Sequence, residues 1–467
     1  MEGLTAPPPQ VTPAPIDAPT EPPGPITSLP PGPDGSAQPS DGSNPDGGVS
    51  QLIPGSVHQT SMNLTATYHV NAAITVASGS LDVTTTIHVR NDSGGSIDRV
   101  ELNTIAARLG GIHITSTTVD GTAVKTTVKD QTLEVPLGGI LTASASTEIL
   151  LEYTAQLTND TAGSDWMFSR SGGTLALYRW IPWISRAVPF DHPNQGDPFV
   201  TPTSPRVDIE LLTDVPMVLA TPAPNVANVA AGTGEYWAFS MENVRDVSIL
   251  LAPDFQVLKG SANGVPIRVY TRSGTAAGQR LLSLAEQAVT DEAARLGVAY
   301  PWPALAVVET PGGTGVASPG LVWIPRNLSS LNRTYTVMHE TANQWFSALV
   351  GNDQQADPFA DEAAADMLAR TVLGDLRPSH CATTPLDRSI QAYSSGCYYE
   401  VIFVQGGLLL DQIRKDMGTT RFWAAMADYV NANHDGIATT KTLLDTLKAA
   451  SPVNLTPLLK ARFPTLY

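Results

Sequence analysis

At 467 residues, 42% hydrophobic and 15% charged, the chain is long enough for two domains and can bury substantial cores. Its formal net charge of −17 leaves no basic surface of the kind that a phosphate backbone requires, so nucleic acid is excluded as a partner. The same charge argues against electrostatic attachment to anionic lipid and otherwise reads as solubility.

Residues 1–56 are dense in Pro, Gly, Ser and Asp. Runs such as PPPQVTPAPIDAPTEPPGP cannot bury a core and favour extended, polyproline-like conformers, so this stretch reads as a disordered, semi-rigid spacer. A Pro-rich ligand for a partner module is the alternative. The opening MEGLTAPPPQ has neither the basic start nor the apolar run of a signal peptide. Pro-rich segments are common just after a removed signal or a lipid anchor. The expectation is therefore a secreted or envelope-anchored protein whose targeting segment lies outside this sequence. No run of about 18 apolar residues occurs, so no transmembrane segment is expected.

Residues 57–258 carry short alternating segments rich in Thr, Val and Ile, among them LTATYHVNAAITV, LDVTTTIHV, TEILLEYTAQL, PRVDIELLT and VRDVSILLA. Turn residues bound them, as at Asn91–Gly95 and Asp120-Gly121. This predicts an all-β domain of sandwich or saddle type.

From 259 to 467 the period becomes helical. Thr275 is placed to cap a helix that runs through Leu281, Leu284, Ala288 and Leu296 and stops at Gly297. A strand over Leu305–Glu309 follows a Pro-Trp-Pro turn, and GGTGVASPGLVWIP reads as a Gly-rich loop entering another strand. Helices are predicted over 333–350, 358–373, 398–417, 420–432 and 440–449, with Asp357-Pro358 as a helix start. Cys381 and Cys397, the two cysteines of the chain, read as one disulfide closing a surface loop in an oxidising compartment. Two unpaired buried thiols are the alternative; without a C-x-x-C spacing they are not a zinc pair.

The stretch that carries chemistry is TYTVMHETANQWFSALVGNDQQADPFADEAAADMLAR. His339, Glu340 and Asn343 share a helix, with Asn343 one turn after His339 on the same face. A helical H-E-x-x-H sets two imidazoles on one zinc with the Glu as general base, and here Asn343 stands at the second His. Eighteen residues separate Asn343 from Glu362, which follows a helix start and can return a carboxylate to the same point.

With its flanks, this pattern resembles the membrane alanyl aminopeptidase family of gluzincin zinc metallopeptidases. Gln344-Trp345-Phe346 is similar to that family's H-Q-W-F, and Asp361-Glu362-Ala363 to its N-E-G. Tyr300–Pro303 with Val307-Val308-Glu309, Pro319–Val322, Trp180–Trp183 and Val244–Val247 resemble further segments of it. The likeness spans about residues 60–467, and the family's C-terminal helical-repeat domain has no counterpart. It implies a β domain followed by a thermolysin-like, mostly helical α+β domain with a groove between them. It also implies zinc held by His339 and Glu362 with Asn343 as a doubtful third donor, and Glu340 as general base.

The same likeness implies three losses. Asn343 offers an amide oxygen, a poor zinc ligand beside imidazole. Ala317 stands where the family's substrate loop, ending near Gly320, carries the Glu that grips a substrate's free amine. Phe403 stands at the Tyr that steadies the oxyanion, and such a donor carries roughly a hundred- to a thousandfold in rate. Tyr398, five residues earlier, is not assumed to replace it. The expectation is a pseudo-peptidase that binds a peptide or protein in its groove, zinc being weak or absent, with a monomer as the simplest assembly. The alternative is an active zinc hydrolase using a non-standard third ligand, and a purely structural envelope protein is the third possibility. His380 is a remote candidate for a substitute ligand. His69, His88 and His434 read as packing or surface residues, and Trp180 and Trp183 as core or cleft. Six N-x-[ST] sequons begin at Asn63, Asn91, Asn159, Asn327, Asn332 and Asn454.

Overall fold

A computed structural model describes residues 50–188, 190 and 197–467; residues 1–49, where most of the spacer expectation falls, lie outside them. The alternation read from the sequence builds the first half. In the strand Leu64–Thr75 the residues Leu64, Ala66, Tyr68, Val70, Ala72 and Ile74 point inward and their neighbours outward. This strand pairs antiparallel with Ser80–Asn91 along its whole length and parallel with Ser204–Thr213 on its other side. They form the centre of an eight-stranded sheet running from Val226–Ala231 at one edge to Thr122–Ala123 at the other.

Two four-stranded sheets complete a large β-sandwich region, with a single helical turn, α1 (Ile105–Leu109), capped by Thr104. The Tyr68 ring stacks on Trp183 with centroids 4.2 Å apart, and its hydroxyl accepts a hydrogen bond from the Ile184 N–H. Trp180 and Trp183 are buried here, so they belong to the core, where large aromatic surfaces stabilise most. Asn91 is also buried, and its amide donates to the carbonyls of Gly95 and Leu141, which closes that sequon to modification in the fold.

The later region is mainly helical and built on a five-stranded sheet. Its strands lie in the order Gln256–Ala262, Val265–Thr271, Leu305–Thr310, Leu321–Pro325 and Val316–Ser318, so the last is an edge. Helices α2 (Thr275–Leu296), α3 (Ser330–Asn343), α4 (Phe359–Leu373), α5 (Gly406–Met417), α6 (Thr419–Asn433), α7 (Thr440–Ala450) and α8 (Thr456–Arg462) follow. None among the described residues is long and apolar enough to cross a membrane. α4 is buried from Phe359 through Arg370, so its acidic residues face protein rather than water.

Two helix starts differ from expectation. Gly274, with φ 85°, precedes α2 in place of a Thr275 side-chain cap. Asp357 does not cap α4; its carboxylate accepts hydrogen bonds from the N–H and hydroxyl of Thr440 at the start of α7. The helix predicted over 333–350 becomes α3 followed by a π-helical turn, Gln344–Leu349, and that over 398–417 becomes a π-helical turn, Glu400–Gln405, followed by α5. Cys381 and Cys397 form a disulfide, as expected.

The two regions meet at Arg245. Its buried guanidinium donates to the carbonyls of Thr201, Ala348, Leu349 and Gly436, which ties the sandwich to the end of the first π turn and to the α6–α7 connection. Gly351 makes room for it, since a Cβ there would stand 2.1 Å from Arg245 Nη1.

Candidate functional site

α3 and α4 cross so that His339 and Glu362 meet. His339 Nε2 lies 3.1 Å from Glu362 Oε2, and Asn343 Nδ2 lies 3.3 Å from the same His339 nitrogen. The i, i+4 spacing on α3 puts Tyr335, His339 and Asn343 on one face. The Tyr335 ring stacks on the imidazole at 5.6 Å and Phe403 stacks at 5.3 Å. Both π-helical turns flank this point, one following Asn343 directly and the other holding Phe403. Such turns occur often at functional sites.

A second layer holds Glu362 in place. Gln354 donates to Glu362 Oε1 at 2.6 Å and to Asp361 Oδ2 at 2.9 Å, and Asn352 donates to Asp361 Oδ1. Tyr335 donates to Asp366, which also pairs with Arg370 one turn later. A narrow crevice with room for about one water lies beside this layer, bounded by Arg179, Asp197, Phe199, Asn352, Gln354 and Asp361. Burial dominates the acid chemistry: it pushes the Glu340 carboxyl up to about 7 and that of Glu362 up to about 8.

Each residue singled out in the sequence can now be placed. Glu340 is buried on α3, with the Gly-rich loop against it: a Cβ on Gly315 would stand 2.5 Å from Glu340 Oε1. Ala317, half-buried, sits on the edge strand Val316–Ser318 and offers no carboxylate. Gly320, with φ 70°, is buried, and its N–H donates to Gln344 Oε1, so Gln344 of the Q-W-F segment ties the loop to the helix. Phe403 offers a ring face and no hydroxyl. Tyr398 is brought to its edge at 5.9 Å, buried, with a hydroxyl that has no partner among the described residues. His380 is exposed at the disulfide loop, His434 pairs with Asp435 on the surface, and His69 and His88 face Glu210 and Glu148 on the large sheet.

Sequence reasoning missed Tyr335, Gln354, Asp366 and Arg370. Helical spacing could have flagged Tyr335 from His339 and Asp366 and Arg370 from Glu362, whereas nothing local marks Gln354.

No family model matches the chain, and no curated protein matches it. Among solved structures it is similar to the M1 zinc metallopeptidase of Deinococcus radiodurans, with TM-score 0.64 and 16% identity over 84% of this chain and 91% of that one. It is likewise similar to a point mutant of that protein, at TM-score 0.64 and 16% identity over 85% and 94%. The mutant bound to a Tyr-Ser-Ala substrate gives TM-score 0.65 and 15% identity over 85% and 94%. At such identities the likeness is one of fold: a β-sandwich region followed by a helical region.

The donor atoms of this chain do not fit the zinc that this fold family implies. Among the described residues no three His, Cys, Asp or Glu side chains converge as a metal-binding group. A ligating His normally donates its second ring nitrogen to an acceptor, which fixes the tautomer. Here Nδ1 of the buried His339 has no partner among the described residues, so nothing in the protein fixes the tautomer that would leave Nε2 free to ligate. His339 Nε2 and Glu362 Oε2 are the two donors of the set that remain, and Asn343 turns toward them an amide nitrogen, which cannot ligate.

Proposed function

We propose that this chain is an exported pseudo-peptidase of zinc-aminopeptidase ancestry, which holds a peptide or protein segment between a β domain (57–258) and a thermolysin-like domain (259–467) without cleaving it. The observation that carries the reading is Asn343 beside His339 and Glu362: where a third metal donor is needed, it turns an amide nitrogen, which cannot ligate, toward His339 Nε2. The losses at Ala317 and Phe403 agree. The Cys381–Cys397 disulfide supports export. The edge strand Val316–Ser318, open on one side and close to Glu340 through Gly315, supports an extended peptide as ligand. A similar structure holds a Tyr-Ser-Ala tripeptide, so short peptides are the first ligands to try.

The test is metal content by elemental analysis of protein purified without chelator, beside the Asn343→His variant. The expected result is wild type without stoichiometric zinc and a variant that fills with about one zinc per chain, because a second imidazole completes a three-ligand set. Wild type carrying about one tightly held zinc per chain would overturn the reading in favour of a working zinc hydrolase with Glu340 as base.

A further inference from the structure

One stretch of chain covers two sides of the site and is hardly tied to either. Residues 311–315, PGGTG, run between the strands Leu305–Thr310 and Val316–Ser318. At one end their backbone lies against the sandwich region: a Cβ on Gly313, whose φ is 89°, would stand 2.2 Å from the Trp166 ring. At the other end it lies on α3: a Cβ on Gly315 would stand 2.4 Å from Thr336 Cγ2 and 2.5 Å from Glu340 Oε1. Trp166 and Glu340 are buried while Gly313 and Thr314 are exposed, so this stretch is the outer layer over both. Contact this close needs glycine, and glycine brings no side chain to lock it. Among the described residues one hydrogen bond reaches 311–315, from the Thr310 hydroxyl to the Gly312 carbonyl. The flanks, by contrast, are fixed: the Thr310 carbonyl accepts from the Arg326 N–H, and the Gly320 N–H donates to Gln344. A backbone stretch with almost no hydrogen bonds between fixed ends is the part of a fold that opens at least cost.

We infer that residues 311–315 form an autoinhibitory strap, which closes over the α3–α4 site in the resting chain and lifts as a unit between Thr310 and Val316, uncovering Trp166 and Glu340 together. A ligand that approaches from this side has to displace it. The strap's opening does not depend on the chemistry of that ligand, so it stands or falls apart from the peptide-binding reading.

The experiment is thiol labelling with N-ethylmaleimide in native buffer. The chain's own cysteines are joined to each other, so Glu340→Cys puts a single free thiol under the strap. In a separate protein, Ala288→Cys puts one in the core, on the fully buried face of α2. Glu340→Cys is expected to label roughly a hundredfold faster than Ala288→Cys and roughly a hundredfold slower than the same variant in denaturing urea. Low urea should hardly change its rate, because local opening exposes little surface and global unfolding exposes much. Adding Gly313→Ala, which strains the backbone and drives a Cβ into the indole, should raise the Glu340→Cys rate about tenfold and leave the Ala288→Cys rate in place. Equal rates for the two thiols, rising together with urea, would mean that only global unfolding uncovers the site, and would overturn the inference. A Glu340→Cys rate equal to the denatured one overturns it as well, since nothing then covers the site. So does a fast, urea-insensitive rate that a folded Gly313→Ala leaves unchanged, which assigns the opening to another segment. The urea comparison decides the matter by itself where Gly313→Ala does not fold.

Discussion

Two buried polar clusters in this molecule have opposite character. At the joint, the Arg245 guanidinium donates to four backbone carbonyls drawn from distant parts of the chain. A few residues away, where α3 meets α4, His339 Nδ1, Asn343 Oδ1 and the Tyr398 hydroxyl have no partner among the described residues. Burying a polar group without a partner costs free energy, so a fold under selection for stability alone would have removed such groups. The joint is thus built to hold, and the α3–α4 crossing keeps unpaired atoms that a ligand can satisfy. Charge by itself would not separate the two, since both hold buried ionisable groups.

The comparison breaks most easily at the joint. Arg245→Met takes a donor from four carbonyls, of which Leu349 and Gly436 keep the N–H groups of Asp435 and Gly351, and the expected loss is roughly 3–5 kcal/mol of unfolding free energy in urea titration. Gly351→Ala should act in the same direction by driving its new Cβ into the guanidinium. A loss below about 1 kcal/mol for both would mean that the joint does not hold the two regions together.

Much of the fold was legible because burial writes its period into the chain. The strand Leu64–Thr75 alternates between core and surface along its length, and α2 ends at Gly297 in a left-handed conformation that glycine adopts without strain. The His339–Glu362 meeting was legible from spacing. What was hidden depends on partners far apart in sequence. Asp357 looks like a helix cap but binds Thr440, and Arg245 looks like an ordinary strand-end cation until its four carbonyls are seen. Gln354 sits in a loop with no pattern of its own, and the two π turns leave no trace in a 3.6-residue period.

A second challenge comes from an unpaired group away from the site. Glu292 on α2 is fully buried and neither carboxyl oxygen has a partner among the described residues. Burial, with a smaller contribution from Asp291, holds its carboxyl well above the ordinary 4.5. The neutral form is therefore the folded one. Its contribution is fully present below the unfolded value near 4.5 and is lost as pH rises toward the folded value. Relative to Glu292→Gln, wild type should lose stability above pH 4.5 by up to about 1.4 kcal/mol per pH unit. Parallel pH profiles for the two proteins would show that this carboxyl is solvated in solution, and unpaired groups would then be a poor marker of function here.

The finest test is at Tyr398, where structure and function should pull in opposite directions. Its hydroxyl has no partner among the described residues, while its ring packs edge-on against Phe403 and lies near Tyr393. Tyr398→Phe keeps the ring and removes only the unpaired oxygen. Thermal unfolding should show no loss and a gain of up to about 1 kcal/mol, because a buried polar atom without a donor or acceptor is costly. Removing a hydroxyl that pairs within the protein would cost about that much. The sign of the change therefore reports whether the oxygen already has a partner. A stability loss places Tyr398 with the joint, as a group the fold has satisfied. A gain places it with Asn343, among the atoms that the α3–α4 crossing leaves open for something to bind.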